Sequence, residues 1–263
     1  MNKKIYKIVS LLLCVVLAFC VAPSVKSEAA NKKTLEKKTV YLASKNGSVS
    51  TSVRVDGLTK ISKLKSSNKN VRIYGYSTYS NSSQYYYADI NGNFVPSTYS
   101  GGNNNKYIDI NATSLKPGYA EISFTSGKTN YVAPVTFLGY QNPLASLKIT
   151  NVSGGKNMAS KFANSSYVSN RFKVTKGGVI KVNATAANGW EITYISLNNR
   201  TNNSNDNYSI YRNYANAVTK ASVAHPEYNN KKDGYVGITL RNKKNGGTMH
   251  IGMNLAGTAS TIK

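Results

Sequence analysis

Cysteine is nearly absent. The 263 residues contain two, Cys14 and Cys20, both close to the N-terminus. Once the first 30 residues are set aside as a leader, none remains. That excludes a disulfide framework, a thiolate metal site and a cysteine nucleophile. Histidine is as scarce: His225 and His250 only. A zinc site commonly needs three or four clustered ligands, and no such spacing exists here. His225-Pro226-Glu227 reads as part of a polar loop, and His250, between Met249 and Ile251, reads as solvent-facing. There is no Gly-x-Ser-x-Gly and no phosphate-binding loop. Acids number ten against 34 lysines and arginines. A carboxylate pair for glycan hydrolysis stays open, because spatial pairing is not written in a sequence. The rest argues against an enzyme, and no cofactor or metal is expected.

Long apolar runs are also missing after residue 30. The one apolar run, Ile8 to Val21, follows Lys3, Lys4 and Lys7 and is broken by Pro23. It is shorter than the roughly 18 to 20 residues that span a bilayer. Residues 1–30 therefore read as a secretory signal peptide, cut after Ala29 or Ala30. Leu17-Ala18-Phe19-Cys20 has the outline of a lipoprotein box, but Phe19 stands where a small residue belongs, so a lipid anchor at Cys20 is not expected.

What is abundant is positive charge and β-pattern. The whole chain carries +24, and losing the leader with Lys3, Lys4, Lys7, Lys26 and Glu28 leaves about +21. Such a field attracts polyanions without specificity. Behind a secretory leader the partners expected are anionic cell-wall polymers, glycans or a surface protein, not nucleic acid. Secretion, with or without wall association, is the expected localisation.

Period-two segments run from end to end. Val53 and Val55, Ile108 and Ile110, Ile180 and Val182, Ile192 and Tyr194, and Met249, Ile251 and Met253 are examples. Gly, Asn and Ser punctuate them, including polar tips at 103–105 and 202–205. This predicts an all-β chain of antiparallel sandwiches with one dry and one wet face per sheet. Asn245-Gly246-Gly247 predicts a tight hairpin between the last two strands. Over 208–224, Ile210, Tyr214, Ala217, Ala221 and Ala224 recur at three- and four-residue spacing. That stretch reads either as a short amphipathic helix or as strand and loop. Proline suits no central strand, so Asn142-Pro143 is taken as a boundary between 31–141 and 142–263. Each piece suits one β-sandwich, the alternative being one continuous sandwich of twice the strand number.

Two stretches of the first piece carry a resemblance. "ISKLKSSNKNVRIYG" (61–75) and "SLKPGYAEISFT" (114–125) resemble the bacterial immunoglobulin-like repeat of Gram-positive surface proteins and intimin-like adhesins. Ser66, Ser67, Asn68 and Val71 stand at its strand–turn–strand signature, and Gly118 and Ile122, followed by Phe124, at its later strand. The resemblance covers about 100 residues; Leu64-Lys65 replaces the usual aromatic, and a Tyr-rich expansion follows Val71. It implies two consecutive immunoglobulin-like β-sandwich domains after the signal peptide, acting in adhesion or binding. The second piece matches in pattern only. Domains of this kind sometimes hold a Lys–Asn isopeptide bond beside a buried acid, but no pair can be chosen here.

Bottom-up, Ser-Ser-Asn favours side-chain-bonded turns. Gly118 is expected to take a conformation closed to other residues. Ile122 and Phe124 must face a core, or a one-residue slip would put both in water. Trp190 is expected in the core of the second piece. Candidate ligand-binding residues are Tyr85, Tyr86, Tyr87 and Tyr99, since tyrosine presents a flat apolar face with a hydroxyl. The opposing reading is that they decorate strand faces.

Overall fold

The computed structural model describes residues 31–79, 83–89, 91, 93–101, 106–199 and 208–259. Side chains 98–101, 169 and 208 lie outside the described set. Residues 1–30, 102–105 and 200–207, which include the expected signal peptide and the stretches 103–105 and 202–205, lie outside it too. No described helix is long and apolar enough to cross a membrane.

The chain is all-β. The first half contains β1 (Asn31–Thr34), β2 (Lys38–Tyr41), β3 (Val49–Asp56), β4 (Ser62–Ser66), β5 (Val71–Tyr79), β6 (Ser83–Ala88), β7 (Phe94–Gly101), β8 (Tyr107–Ser114), β9 (Gly118–Ser126) and β10 (Thr129–Leu138). One sheet has the order β3-β8-β5-β6-β7, and the facing layer has β2-β10-β9-β4. Without the β6–β7 hairpin this is the second, fifth and fourth strand against the first, seventh, sixth and third, the immunoglobulin order. Alternation fills the space between: Ile108, Ile110, Ile122, Phe124, Val135 and Phe137 are buried together. Ile122 lies opposite Ala133 and Phe124 opposite Tyr131, whose rings stack at 5.0 Å.

The second half contains β11 (Leu144–Ile149), a short 3₁₀ turn (Ala159–Phe162), β12 (Tyr167–Lys173), β13 (Gly178–Ala186), β14 (Trp190–Asn199), β15 (Tyr208–Val218), β16 (Lys220–Tyr228), β17 (Gly234–Asn242) and β18 (Thr248–Ala256). Its sheets are β11-β13-β16 and β15-β14-β17-β18, with β12 parallel to β18. This too is immunoglobulin order, with one extra strand beside β14. Ile180, Val182, Ile192, Ile238 and Leu255 lie in its core. Gly246, at φ 70°, turns the β17–β18 hairpin.

A single sheet runs through both halves, because β2 pairs with β10 and touches β18 at Val40–Thr248. Val40 serves the first core, while Tyr41 turns to the second and packs on Trp190 with centroids 4.8 Å apart. Trp190 is only 3% exposed. Asn245 Nδ2 donates to the Tyr41 hydroxyl at 2.9 Å. The Tyr140 hydroxyl donates to the Phe162 carbonyl, and burial pushes its pKa up to about 12.

Three expectations change. The helix alternative over 208–224 gives way to two strands, because β14 supplies partners for Tyr208–Asn213 and β13 for Lys220–His225. His225 is not in a polar loop: it lies on β16, buried, with its ring edge-on to Tyr228 at 5.4 Å. Gly118 has no positive φ. What its missing Cβ admits is Asn68, whose Nδ2 lies 3.3 Å from where a Cβ would stand and donates to the Tyr119 carbonyl at 2.9 Å. Around it, Ser66 Oγ accepts from the Asn68 N–H, and Ser67 Oγ accepts from the Glu121 N–H. Val71 is buried beside this turn. Among the described residues no lysine and no acid is buried, so none offers the dry Lys–acid pair that an isopeptide bond needs.

Candidate functional site: the outer face of the first half

The side of the β3-β8-β5-β6-β7 sheet that faces away from the core is polar and aromatic. Register places Asp56, Tyr107 and Tyr79 in one row across β3, β8 and β5. The next row is Arg54, Asp109, Ser77 and Tyr85, and the one after is Ser52, Asn111, Gly75 and Tyr87. Cross-strand neighbours on one face touch, and here they form a stack. The Arg54 guanidinium lies 3.6 Å from the Tyr107 ring centroid, and Tyr107 stacks on Tyr79 at 4.1 Å. Arg54 Nε also donates to Asp56 at 2.9 Å. This fixes a flexible cation and two rings in one geometry, through cation–π contact and pairing.

Beyond the stack the face becomes a shelf. Gly75 has no Cβ where the Tyr85 hydroxyl and the Tyr86 carbonyl come within 2.5 and 2.6 Å of the position one would take. The Tyr85 ring therefore folds back across β5. A cavity of about 360 Å³ opens at this end, lined by Ser77, Tyr79, Ser83, Gln84 and Tyr85 among others. Among the described residues the buried Ser83 hydroxyl has no hydrogen-bond partner there. Burial pushes the Tyr85 hydroxyl pKa up, with Tyr74 adding to it. Burial also pushes the Asp109 carboxyl up, against the opposing pull of Arg54 and Lys38. An aromatic stack, flanking carboxylates and hydroxyl-lined space suit a polyol laid flat on the sheet.

The tyrosines singled out in sequence do not act as one group. Tyr85 and Tyr87 reach the outer face, and Tyr87 is 46% exposed. Tyr86 turns the other way and stacks on Tyr76 at 4.6 Å, at the rim of the core. Tyr99 lies in β7, but its side chain is outside the described residues. Arg54, Asp56 and Asp109 were not anticipated. Arg54 alternates with Val53 and Val55, so its outward direction was legible, but its pairing across to Tyr107 was not.

The second half has its own aromatic outer face. Tyr194 and Tyr211 lie 6.2 Å apart across β14 and β15. Tyr235 covers Gly252, and its hydroxyl meets His250 Nε2 at 2.9 Å, while His250 Nδ1 meets Thr239 at 3.1 Å. Arg241 Nε and Nη2 both donate to Glu191 Oε1. The Tyr167 hydroxyl accepts from Asn254. Among the described residues, no group of three or more His, Cys, Asp or Glu side chains on either half could hold a metal.

No family model matches the chain. No curated protein matches it in sequence. Among solved structures, a chimeric titin Z1Z2 tandem functionalized with an exogenous fibronectin peptide is 12% identical, with TM-score 0.25, over 84% of this chain and 95% of that one. The chicken CNTN1 FN1–FN3 domains are 8% identical with TM-score 0.22, over 85% and 69%. The extracellular portion of mouse CD200RLa is 10% identical with TM-score 0.20, over 84% and 99%. Likeness this distant carries no argument, and the immunoglobulin-type architecture rests on the strand order itself.

Proposed function

We propose that this is a secreted or cell-surface, non-enzymatic binding protein of the bacterial immunoglobulin-like kind. In this reading it adheres to glycan polymer of a Gram-positive wall through the outer face of its first half. The observation that carries the reading is the Arg54–Tyr107–Tyr79 stack, continued by Tyr85 over Gly75. Aromatic faces locked by neighbours lose little entropy when a sugar ring lands on them. The large positive charge adds long-range attraction to anionic polymer.

The test is co-sedimentation of the secreted protein with purified walls at low salt and at about 0.5 M salt, where screening reaches only a few ångström. Retention that survives salt and is lost in a Tyr79→Ser/Tyr107→Ser variant supports the platform. Retention that vanishes in salt for both proteins leaves charge alone as the attachment. A second reading, hydrolysis, is favoured by the placement of Asp56 and Asp109 on adjacent strands of the same face, with Asp109 pushed up by burial. Release of reducing sugar from the sedimented walls, lost in Asp109→Asn, would replace binding by turnover.

A further inference from the structure

A groove of about 530 Å³ opens between the halves, beside the aromatic platform. Its origin lies in the strands. β3 is the edge of its sheet, so its outward carbonyls have no strand partner. Pro134 lacks an N–H and cannot hold a neighbour on that side of β10. The chain bows away there between β1 and β2, and Asn245 and Gly246 of the second half's hairpin close one end.

Lys37, Lys38 and Arg54 line this groove, with Glu36 as the one acid in its wall. Lys38 Nζ donates one N–H to the Ser52 carbonyl at 2.5 Å. From β2 it thus satisfies one carbonyl on the free edge of β3. It accounts for one of three N–H groups. No described carboxylate comes within ion-pair distance of Lys38; the nearest influence is Asp109, felt only through space. Burial outweighs it and pushes the Lys38 pKa down. A half-dried ammonium without a counter-charge favours an incoming anion. Arg54 joins the two places, because it lines the groove and also lies over Tyr107.

We propose that this groove seats an oxyanion, carboxylate or phosphate, carried by the same glycan whose rings rest on Tyr107 and Tyr79, with Lys38 as its main ligand. This rests on the platform reading and names its ligand class: an acidic glycan. Sugar stacks on the rings, and the acidic substituent turns over the β3 edge to meet Lys38.

The experiment is calorimetric titration of the full secreted chain with three probes: hyaluronate oligosaccharide, its carboxyl-reduced neutral form, and that neutral form carrying phosphate in place of the carboxylate. One acidic probe should bind about tenfold more tightly than the neutral one, the size of one charge-assisted contact. Which acidic probe it is tells carboxylate from phosphate. Lys38→Met should erase the difference and leave neutral binding unchanged, and Lys38→Arg should restore most of it. Lys148→Met, an exposed lysine on the far half, should change nothing. If Lys38→Met keeps the full preference while Tyr107→Ser loses all three probes, the groove assignment falls and the platform stands. If the preference falls equally in Lys148→Met, the anion is read by bulk charge and the groove assignment falls. If no probe binds the unaltered chain, both fall.

Discussion

The two halves share strand order and differ in what their outer faces leave open. In the second half several polar groups on the face are spent on one another: Tyr235 with His250, His250 with Thr239, Asn254 with Tyr167 and Arg241 with Glu191. In the first half Arg54 is held by Asp56 and Tyr107, but the neighbouring cavity keeps the Ser83 hydroxyl without a partner among the described residues. The groove beside it keeps a lysine with donors to spare. Both faces are rich in tyrosine. If the first face binds as proposed, the difference teaches that aromatic content alone does not make a binding surface and that polar capacity not already consumed by the fold is what counts.

The interiors should not differ at all in kind. Ile122 of the first core and Ile238 of the second are both fully buried. Truncating either to alanine should cost about 2–5 kcal/mol, from lost transfer energy and the cavity left behind. Urea unfolding followed by circular dichroism would measure it. The joint between the halves sharpens this. Tyr41 from β2 sits on Trp190 in the second core, and Tyr140 is tied to Phe162. If the halves unfold together, both variants shift one shared midpoint. Two midpoints, each moved by one variant only, would show that the joint does not couple them.

Acid should separate the halves more gently. Both histidines lie in the second half, and burial lowers the pKa of each. The folded state therefore binds protons less readily than the unfolded chain. Stability falls as pH drops below about 6.5, the unfolded histidine value. In the first half Asp109 has the opposite sign. Its folded pKa is raised, so its contribution to stability is present at low pH and is lost as pH rises through the folded value. Between pH 7 and 5, amide exchange corrected for its own pH dependence should loosen β16 and β18 while β3 and β8 hold. His225→Leu should flatten the response of β16. Equal loosening of both halves would remove the distinction.

Much of this architecture was legible beforehand, for a physical reason. A residue buried on one face of a strand must alternate with its neighbours, and that period is written locally. Hence Val53, Ile110, Ile122, Trp190 and Ile251 fell where alternation put them. The Ser66-Ser67-Asn68 turn was also local. Three things were not legible. His225 looked polar by its neighbours Pro226 and Glu227, yet strand register turned it inward. Tyr85, Tyr86 and Tyr87 looked like one cluster, yet successive residues of a strand point to opposite faces, so Tyr86 left the group. Arg54 met Tyr107, 53 positions on, only because β3 and β8 pair in one particular register. Outer faces are assembled by register, which composition does not reveal.

The smallest expected effect bears most directly on the contrast. Two arginine–carboxylate pairs lie on the two outer faces, Arg54–Asp56 and Arg241–Glu191. Exposed pairs contribute little, typically under about 1 kcal/mol. Arg241→Ala should therefore move the unfolding midpoint only slightly. Glu191 is the more enclosed partner, with its side chain 16% exposed against 77% for Asp56, so even this small cost should exceed that of Arg54→Ala. Function should run the other way. Arg241 has its carboxylate and, among the described residues, no ring beneath it, and its loss should leave wall retention as it was. Arg54 orders the Tyr107 ring and borders the groove, and its loss should weaken retention about tenfold with no matching loss of stability. Thermal unfolding and sedimentation on the same two variants would read both quantities. If the two arginines prove interchangeable in retention, the outer face of the first half has no privilege over that of the second.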